Sequence, residues 1–151
     1  MIREEDFPRL DDEPDQGTGQ AVVALIRDHR GRHLLQLRDA FDHVPGGGTW
    51  SLFGGAVEQG EDLGAALSRE LEEELGINAP AEAFSPFCWL RGFSDRRPKV
   101  FVLTCDKPVE PDQITLGEGA GFAFFTDAQC QNLEQSPLLK RVFPAYFKKS
   151  R

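Results

Sequence analysis

Three glutamates in one short stretch of the chain have the types and spacing most suited to chemistry. Glu70, Glu73 and Glu74 stand at positions i, i+3 and i+4 among good helix formers, so a helix places them on one face. Carboxylates this close repel one another unless a cation neutralises them. Oxygen ligands in this number suit Mg²⁺ or Mn²⁺, ions that keep bound waters and share coordination with phosphates. The stretch is therefore a candidate metal site, and the alternative for the acidic run alone is a solvated helix face.

The helix that must carry these glutamates is indicated by its ends and by its apolar spacing. Asp62 is suited to the N-cap, and Gly76 stands where a left-handed glycine is expected after the last turn. Arg69 precedes Glu73 by four residues and is placed to pair with it. One apolar stripe runs along the helix at every fourth position. It consists of Leu63, Leu67, Leu71 and Leu75.

The stretch from Gly55 to Ile77 follows a longer spacing in which every fixed position is filled. It reads G-x5-E-x7-R-E-U-x-E-E-x-G-U, where U is a bulky aliphatic residue. This spacing resembles the signature box of the Nudix hydrolases. The resemblance implies an α/β fold of the Nudix type, an α/β/α sandwich with a mixed β-sheet. It also implies that Glu70, Glu73 and Glu74 are catalytic carboxylates that bind Mg²⁺ or Mn²⁺.

The same resemblance assigns roles to residues around these three. Glu61 and Arg69 match a structural ion pair that pins the loop against the helix. The carbonyl of Gly54 matches a metal ligand, and Glu118, in a glycine-flanked segment, matches a further metal ligand. Judged locally, Gly54 also fits an ordinary strand-to-loop turn, and Glu118 fits a solvent-facing turn. The general base is expected to be Glu70, with Glu118 as the second choice.

Composition bounds the class of protein. The 151 residues favour one domain. The net charge of −8 and an isoelectric point near 4.9 argue against a partner that is a long nucleic acid, although a small polyphosphate with a bound metal stays compatible. The three cysteines are odd in number and lack metal-type spacing, so reduced thiols and a cytoplasmic location are expected. No apolar run approaches membrane-spanning length, so no membrane partner is expected.

The order of elements divides the chain into an arm and one domain. Residues 1–17 are acidic and aperiodic, which predicts a flexible N-terminal arm, and residues 18–151 are predicted to form a single Nudix domain. The predicted strands are 18–27 and 33–38, joined as a hairpin, and then 50–53, 84–93, 99–105 and 122–125. Two further helices are expected at 126–133 and from Ser136 onward, with Pro144 kinking or stopping the last one.

The predicted function is that of a Mg²⁺-dependent pyrophosphohydrolase, a hydrolase that cleaves the phosphoanhydride bond of a nucleoside diphosphate linked to another moiety. Substrate contacts are expected from Arg38, Phe41 and Trp50. Two alternatives are a Nudix module that binds a nucleotide without cutting it, and an isoprenoid-diphosphate isomerase. The isomerase needs a cysteine in a supporting motif, which is not evident around Cys88 or Cys105. Many relatives in this family are dimers, so a homodimer is a further expectation.

Overall fold

The computed structural model of the protein describes residues 1–38, 48–117 and 121–149. The strands are β1 (Gln20–Leu25), β2 (His33–Leu37), β3 (Trp50–Ser51), β4 (Phe53–Ala56), β5 (Phe84–Arg91), β6 (Lys99–Cys105) and β7 (Gly121–Phe125). The helices are α1 (Leu63–Leu75), α2 (Asp127–Cys130) and α3 (Pro137–Lys149). Within these ranges, no helix combines the length and the apolar character that a membrane crossing requires.

The strands form two sheets. The larger sheet has the order β4-β1-β6-β5, in which β1 and β6 run parallel while the other neighbours run antiparallel. The smaller sheet has the order β3-β2-β7 and is antiparallel throughout. The predicted mixed sheet is therefore confirmed in the larger of the two.

The helices and strands pack together in two apolar cores. The leucine stripe of α1 packs into one core together with Val22, Phe53 and Phe101. The inner face of α3, which includes Leu139 and Val142, packs into the other core. Helices thus bury the two groups of apolar side chains that the strands present, and this arrangement confirms the predicted α/β/α fold.

Helix α1 has the ends that the sequence predicts. The Asp62 carboxylate accepts a hydrogen bond from the backbone N–H of Ala65 at 3.2 Å, as an N-cap does. Gly76 ends the helix at φ 66°, a left-handed conformation that glycine adopts without the steric cost of a Cβ atom. The caps fix the register of the helix, and with it the direction of the glutamate face.

The predicted hairpin of the first two strands forms only at its turn. Asp28 N donates to Arg32 O at 3.0 Å, and Leu34 N donates to Ile26 O at 2.9 Å, but β1 and β2 then enter different sheets. The reason is that β4 and β6 already occupy the two edges of β1. The expectation of a hairpin paired along its length is wrong.

The C-terminal helices also differ from expectation. Helix α2 ends at Cys130 rather than near residue 133. Helix α3 begins after Ser136, whose hydroxyl accepts from Leu139 N at 3.2 Å, and it continues through Pro144 to Lys149. Proline removes only one hydrogen-bond donor from the helix, and the buried inner face holds the residues on both sides of Pro144 in place. Of the two predicted effects of Pro144, the helix stop is wrong, and the kink stays a prediction.

The N-terminal segment packs on the larger sheet, unlike the loose arm expected. Phe7 is buried and meets the Phe101 ring edge-on at a centroid distance of 5.0 Å. Leu10 N donates to Trp89 O at 2.8 Å, and Trp89 N donates to Pro8 O at 3.0 Å. The segment thereby covers the free edge of β5, and its apolar residues among the acids explain why it does so.

The packing of this segment makes a testable prediction about stability. Replacing Phe7 by alanine leaves a cavity beside Phe101, so Phe7→Ala should lower the free energy of unfolding by about 3 kcal/mol in urea denaturation. Glu5→Ala, an exposed change in the same segment, should lower it by less than about 0.5 kcal/mol. Equal stabilities of the two variants would show that the segment is detached.

Candidate functional site

Arg69 lies at the centre of the acidic face of α1. Its Nε and Nη2 atoms donate to the two carboxylate oxygens of Glu61 at 2.8 and 2.9 Å, which is a bidentate contact. Its Nη1 atom lies 3.0 Å from Glu70 Oε1 and 3.6 Å from Glu73 Oε1. Nη2 also donates to Ala56 O at 3.0 Å. One guanidinium therefore contacts glutamates of α1, glutamates of the loop before it and the end of β4.

These contacts shift the pKa values of Glu61 and Arg69. The hydrogen bonds from Arg69 hold the pKa of the Glu61 carboxyl below its ordinary value of 4.5, although partial burial opposes the shift. Glu61 in turn raises the pKa of Arg69 further above its ordinary value, and Glu70 adds to this effect. Glu61 and Arg69 thus form a charged pair at neutral pH, and this pair is the one expected from the sequence.

The double glycine brings β4 unusually close to its neighbours. A Cβ atom on Gly55 would lie 2.5 Å from Glu70 Oε2 and 2.6 Å from Oε1, closer than atoms can approach. A Cβ atom on Gly54 would overlap the backbone oxygen of Val22 on β1. Gly55 therefore lets the carboxylate of Glu70 rest on the backbone of β4, and Gly54 lets β4 lie close against β1.

The other two glutamates of the face differ in exposure. The Glu73 side chain is 58% exposed, whereas Glu74 is buried at 9%. In the ranges that the structure describes, no three acidic, histidine or cysteine side chains are already gathered as metal ligands. The donors nevertheless suit a hard dication, because they are carboxylates beside a backbone that lacks side chains at Gly54 and Gly55.

The loop after β6 reaches the C-terminal end of α1. Thr115 N donates to Leu75 O and Gly117 N donates to Glu74 O, both at 2.8 Å. A Cβ atom on Gly117 would overlap Glu73 O, so this glycine is needed for the close approach. Glu118, the next residue, lies outside the described residues, as does Phe41.

A cavity of about 480 Å³ opens beside the double glycine. Gly54 and Gly55 form part of its wall, and Arg38 lines it as well. Trp50 does not line it; this ring packs edge-on against Phe125 at 4.9 Å. The cavity thus brings together the glycine pair and one of the three predicted substrate contacts.

Three polar side chains line this cavity that were not predicted as site residues. We call them the polar floor. They are Gln36, Ser51 and Ser136, all buried. Gln36 and Ser51 are polar positions inside otherwise apolar strands, which is a signal that the sequence contains. Ser136 precedes the last predicted helix and caps it, a role that gives no sign of a position in a cavity.

Comparison with known proteins agrees with this geometry. A family model described as the NUDIX domain matches residues 17–146. Among solved structures, the MutT protein from Methanosarcina mazei Go1 superimposes with a TM-score of 0.68 at 25% identity, covering 91% of this chain and 98% of that one.

Two curated relatives are similar over the part of the chain that they match. Nucleoside triphosphatase NudI from Enterobacter sp. (strain 638) is 36% identical over 70 residues, which are 46% of this chain and 49% of the relative. CTP pyrophosphohydrolase from Escherichia coli (strain K12) is 47% identical over 58 residues, which are 38% of this chain and 42% of the relative. The chain therefore spans less than half the length of each of these two relatives. Because the family model covers most of the sequence and the structural likeness covers 91% of it, this chain belongs to the Nudix family.

Proposed function

We propose that this protein is a divalent-metal-dependent pyrophosphohydrolase that cleaves the phosphoanhydride bond of a nucleoside diphosphate linked to another moiety. The observation that carries the proposal is the position of the Glu70 carboxylate on the backbone of Gly55, at the wall of the cavity. Glu70, Glu73 and Glu74 do not line the cavity themselves, but Gly55 does. A phosphate chain that reaches Gly55 from the cavity would therefore approach the acidic face of α1. The names of the relatives support a nucleoside triphosphate as the first substrate to test.

Metal binding is assigned to the carboxylates of Glu70, Glu73 and Glu74 together with the carbonyl of Gly54. Mg²⁺ or Mn²⁺ held there would polarise the phosphoryl oxygens and lower the pKa of a bound water. The exposure of Glu73 and the contact between Glu70 and Gly55 support this assignment. Glu118 is proposed as a further ligand, because Gly117 before it is hydrogen-bonded to the end of α1.

Proton removal from the attacking water is assigned to Glu70, with Glu118 as the second choice. A general base must lie within hydrogen-bond reach of the water that it activates. Glu70 is the box glutamate in contact with the cavity wall, which supports the first choice. Arg69 lies 3.0 Å from one oxygen of this carboxylate, and this contact orients the carboxylate beside Gly55.

The Glu61–Arg69 pair is assigned a positioning role. Arg69 reaches Glu61 in the loop before α1 and Ala56 O at the end of β4. The pair therefore sets the separation between the helix and the glycine strand, and acts on the reaction only through Glu70 and Glu73. Arg38 is proposed as a substrate contact because it lines the cavity. Cys88, Cys105 and Cys130 are free thiols, which supports a cytoplasmic location.

Glutamate variants test the proposed activity. Wild-type protein with Mg²⁺ should cleave at least one compound in a panel of nucleoside triphosphates, sugar nucleotides, ADP-ribose and dinucleoside polyphosphates. Chromatography should identify the products, which are a nucleoside monophosphate with pyrophosphate for a triphosphate and two phosphorylated fragments for the other compounds. Glu73→Gln and Glu74→Gln should lower kcat by about a hundredfold or more, since they remove metal ligands. Glu72→Gln is the matched control, because Glu72 is an exposed glutamate of the same helix at the variable position of the box.

Full turnover in both box variants would refute the metal assignment. A nucleotide that raises the melting temperature of the wild type without any hydrolysis would favour the binding module instead. An isomerised product, detected after incubation of the protein with an isoprenoid diphosphate, would favour the isomerase.

Replacing Glu61 tests the ion pair through the pH dependence of stability. Because the folded-state pKa of Glu61 is lowered, its ionised form stabilises the fold above pH 4.5, and this stabilisation is lost as the pH falls through the folded-state pKa. At pH 7, Glu61→Gln should lower the free energy of unfolding by about 1 kcal/mol, a modest value because solvent reaches the pair. In urea denaturation at pH 3 the difference from wild type should shrink. A difference that is constant with pH would exclude the ionic contribution.

A further inference from the structure

The polar floor of the cavity has a chemistry that phosphoanhydride hydrolysis does not require. We propose that Gln36 and Ser51 recognise the hydrogen-bonding edge of the nucleobase, with Gln36 accepting from a base N–H and Ser51 donating to the neighbouring base nitrogen or oxygen. This inference rests on the proposed function, since it assumes that the phosphate end of the same ligand lies at Gly54 and Gly55.

The two side chains are placed as a pair by the smaller sheet. Gln36 on β2 and Ser51 on β3 stand directly opposite each other in the register. Opposite residues in an antiparallel pair have Cβ atoms about 5 Å apart and lie on the same face. Both residues line the cavity and are more than nine-tenths buried. Two adjacent polar side chains therefore line the same cavity.

The amide of Gln36 is held in one orientation. Its Nε2 atom donates to Leu52 O at 2.8 Å. A backbone carbonyl can only accept, so this bond assigns the nitrogen to the Leu52 side and the Oε1 atom to the other side of the amide. Gln36 consequently offers an acceptor to a ligand in the cavity.

Ser51 is the end of a short chain of hydrogen bonds that starts at a helix terminus. Leu139 N, at the start of α3, donates to Ser136 Oγ at 3.2 Å, and Ser136 Oγ donates to Ser51 Oγ at 2.8 Å. A serine hydroxyl has one donor site and two acceptor sites. Ser51 can therefore accept from Ser136 and at the same time donate its own hydrogen to a ligand in the cavity.

The distance from this pair to the phosphate end fits a nucleoside. Ser51 and Gly54 are three residues apart, which is about 10 Å in an extended chain and comparable to a ribose with its base. Phe93 lines the same cavity and is 51% exposed. An exposed aromatic ring at this position supplies a face on which a base can stack.

A matched donor and acceptor define the class of ligand. Every standard nucleobase carries an N–H beside an acceptor on its pairing edge, whereas a ribose phosphate or an isoprenoid diphosphate has no such edge. Buried polar groups that lose their ligand partners discriminate strongly against a ligand that lacks them. The polar floor is therefore expected to select nucleosides over other phosphorylated compounds.

Calorimetric binding measurements test this inference without any turnover. The full-length protein with Mg²⁺ is titrated with CMP, UMP, AMP, GMP and ribose 5-phosphate, none of which contains a phosphoanhydride. The most tightly bound monophosphate should bind at least about tenfold more tightly than ribose 5-phosphate. Gln36→Met and Ser51→Ala should each weaken the binding of that monophosphate by about tenfold and change ribose 5-phosphate by less than about twofold.

Controls separate recognition from folding. Ser85→Ala removes a hydroxyl from β5 that bonds to Asp106 outside the cavity, and it should leave both affinities unchanged. If Gln36→Met fails to fold, as seen in its circular dichroism, the result with Ser51→Ala decides. Equal affinity for ribose 5-phosphate and the monophosphates, or variants that weaken both ligands alike, would overturn the inference. The proposed function fails by a different result, the absence of hydrolysis by the wild type.

Discussion

The guanidinium of Arg69 is the contact on which the acidic face of α1 depends. Glutamates at i, i+3 and i+4 on one helix destabilise it by mutual repulsion, and Arg69 offsets this by lying 3.0 Å from Glu70 and 3.6 Å from Glu73. The same group binds Glu61 and Ala56 O, which lie outside the helix. The Arg69 guanidinium therefore reduces the repulsion between the glutamates and also holds them at the edge of β4, where Gly55 leaves space for the Glu70 carboxylate.

The repulsion between the three box glutamates of α1 is therefore offset in part by Arg69, and a divalent metal ion is not its sole counter-charge. The fold already contains a positive charge among the glutamates, the Arg69 guanidinium, which reduces their mutual repulsion. A divalent ion would instead find carboxylates whose positions are set in advance by Arg69 and by the caps at Asp62 and Gly76. Ligands held in place before binding lose less conformational freedom when the ion arrives.

Local features of the fold were predictable from the sequence, and non-local ones were not. Helix α1 follows from its leucine spacing and its caps, which involve residues close together in the chain. The separation of β1 from β2 depends on β4 and β6 occupying both edges of β1, and no local pattern contains this information. The same limit applies to the site: the Nudix box identified Glu70 and Arg69, whereas the polar floor depends on a pairing of Gln36 with Ser51 across two strands.

The cavity has a glycine end, beside which the Glu70 carboxylate lies and which suits phosphate and metal, and a polar floor, which suits a nucleobase. The most direct test is a crystal structure with Mg²⁺ and a non-hydrolysable nucleoside triphosphate. We expect an ion about 2.1 Å from oxygens of the glutamates of α1 and from the Gly54 carbonyl, with the phosphate chain bound to that ion. A structure in which those glutamates point into solvent while the phosphates bind elsewhere would contradict this expectation.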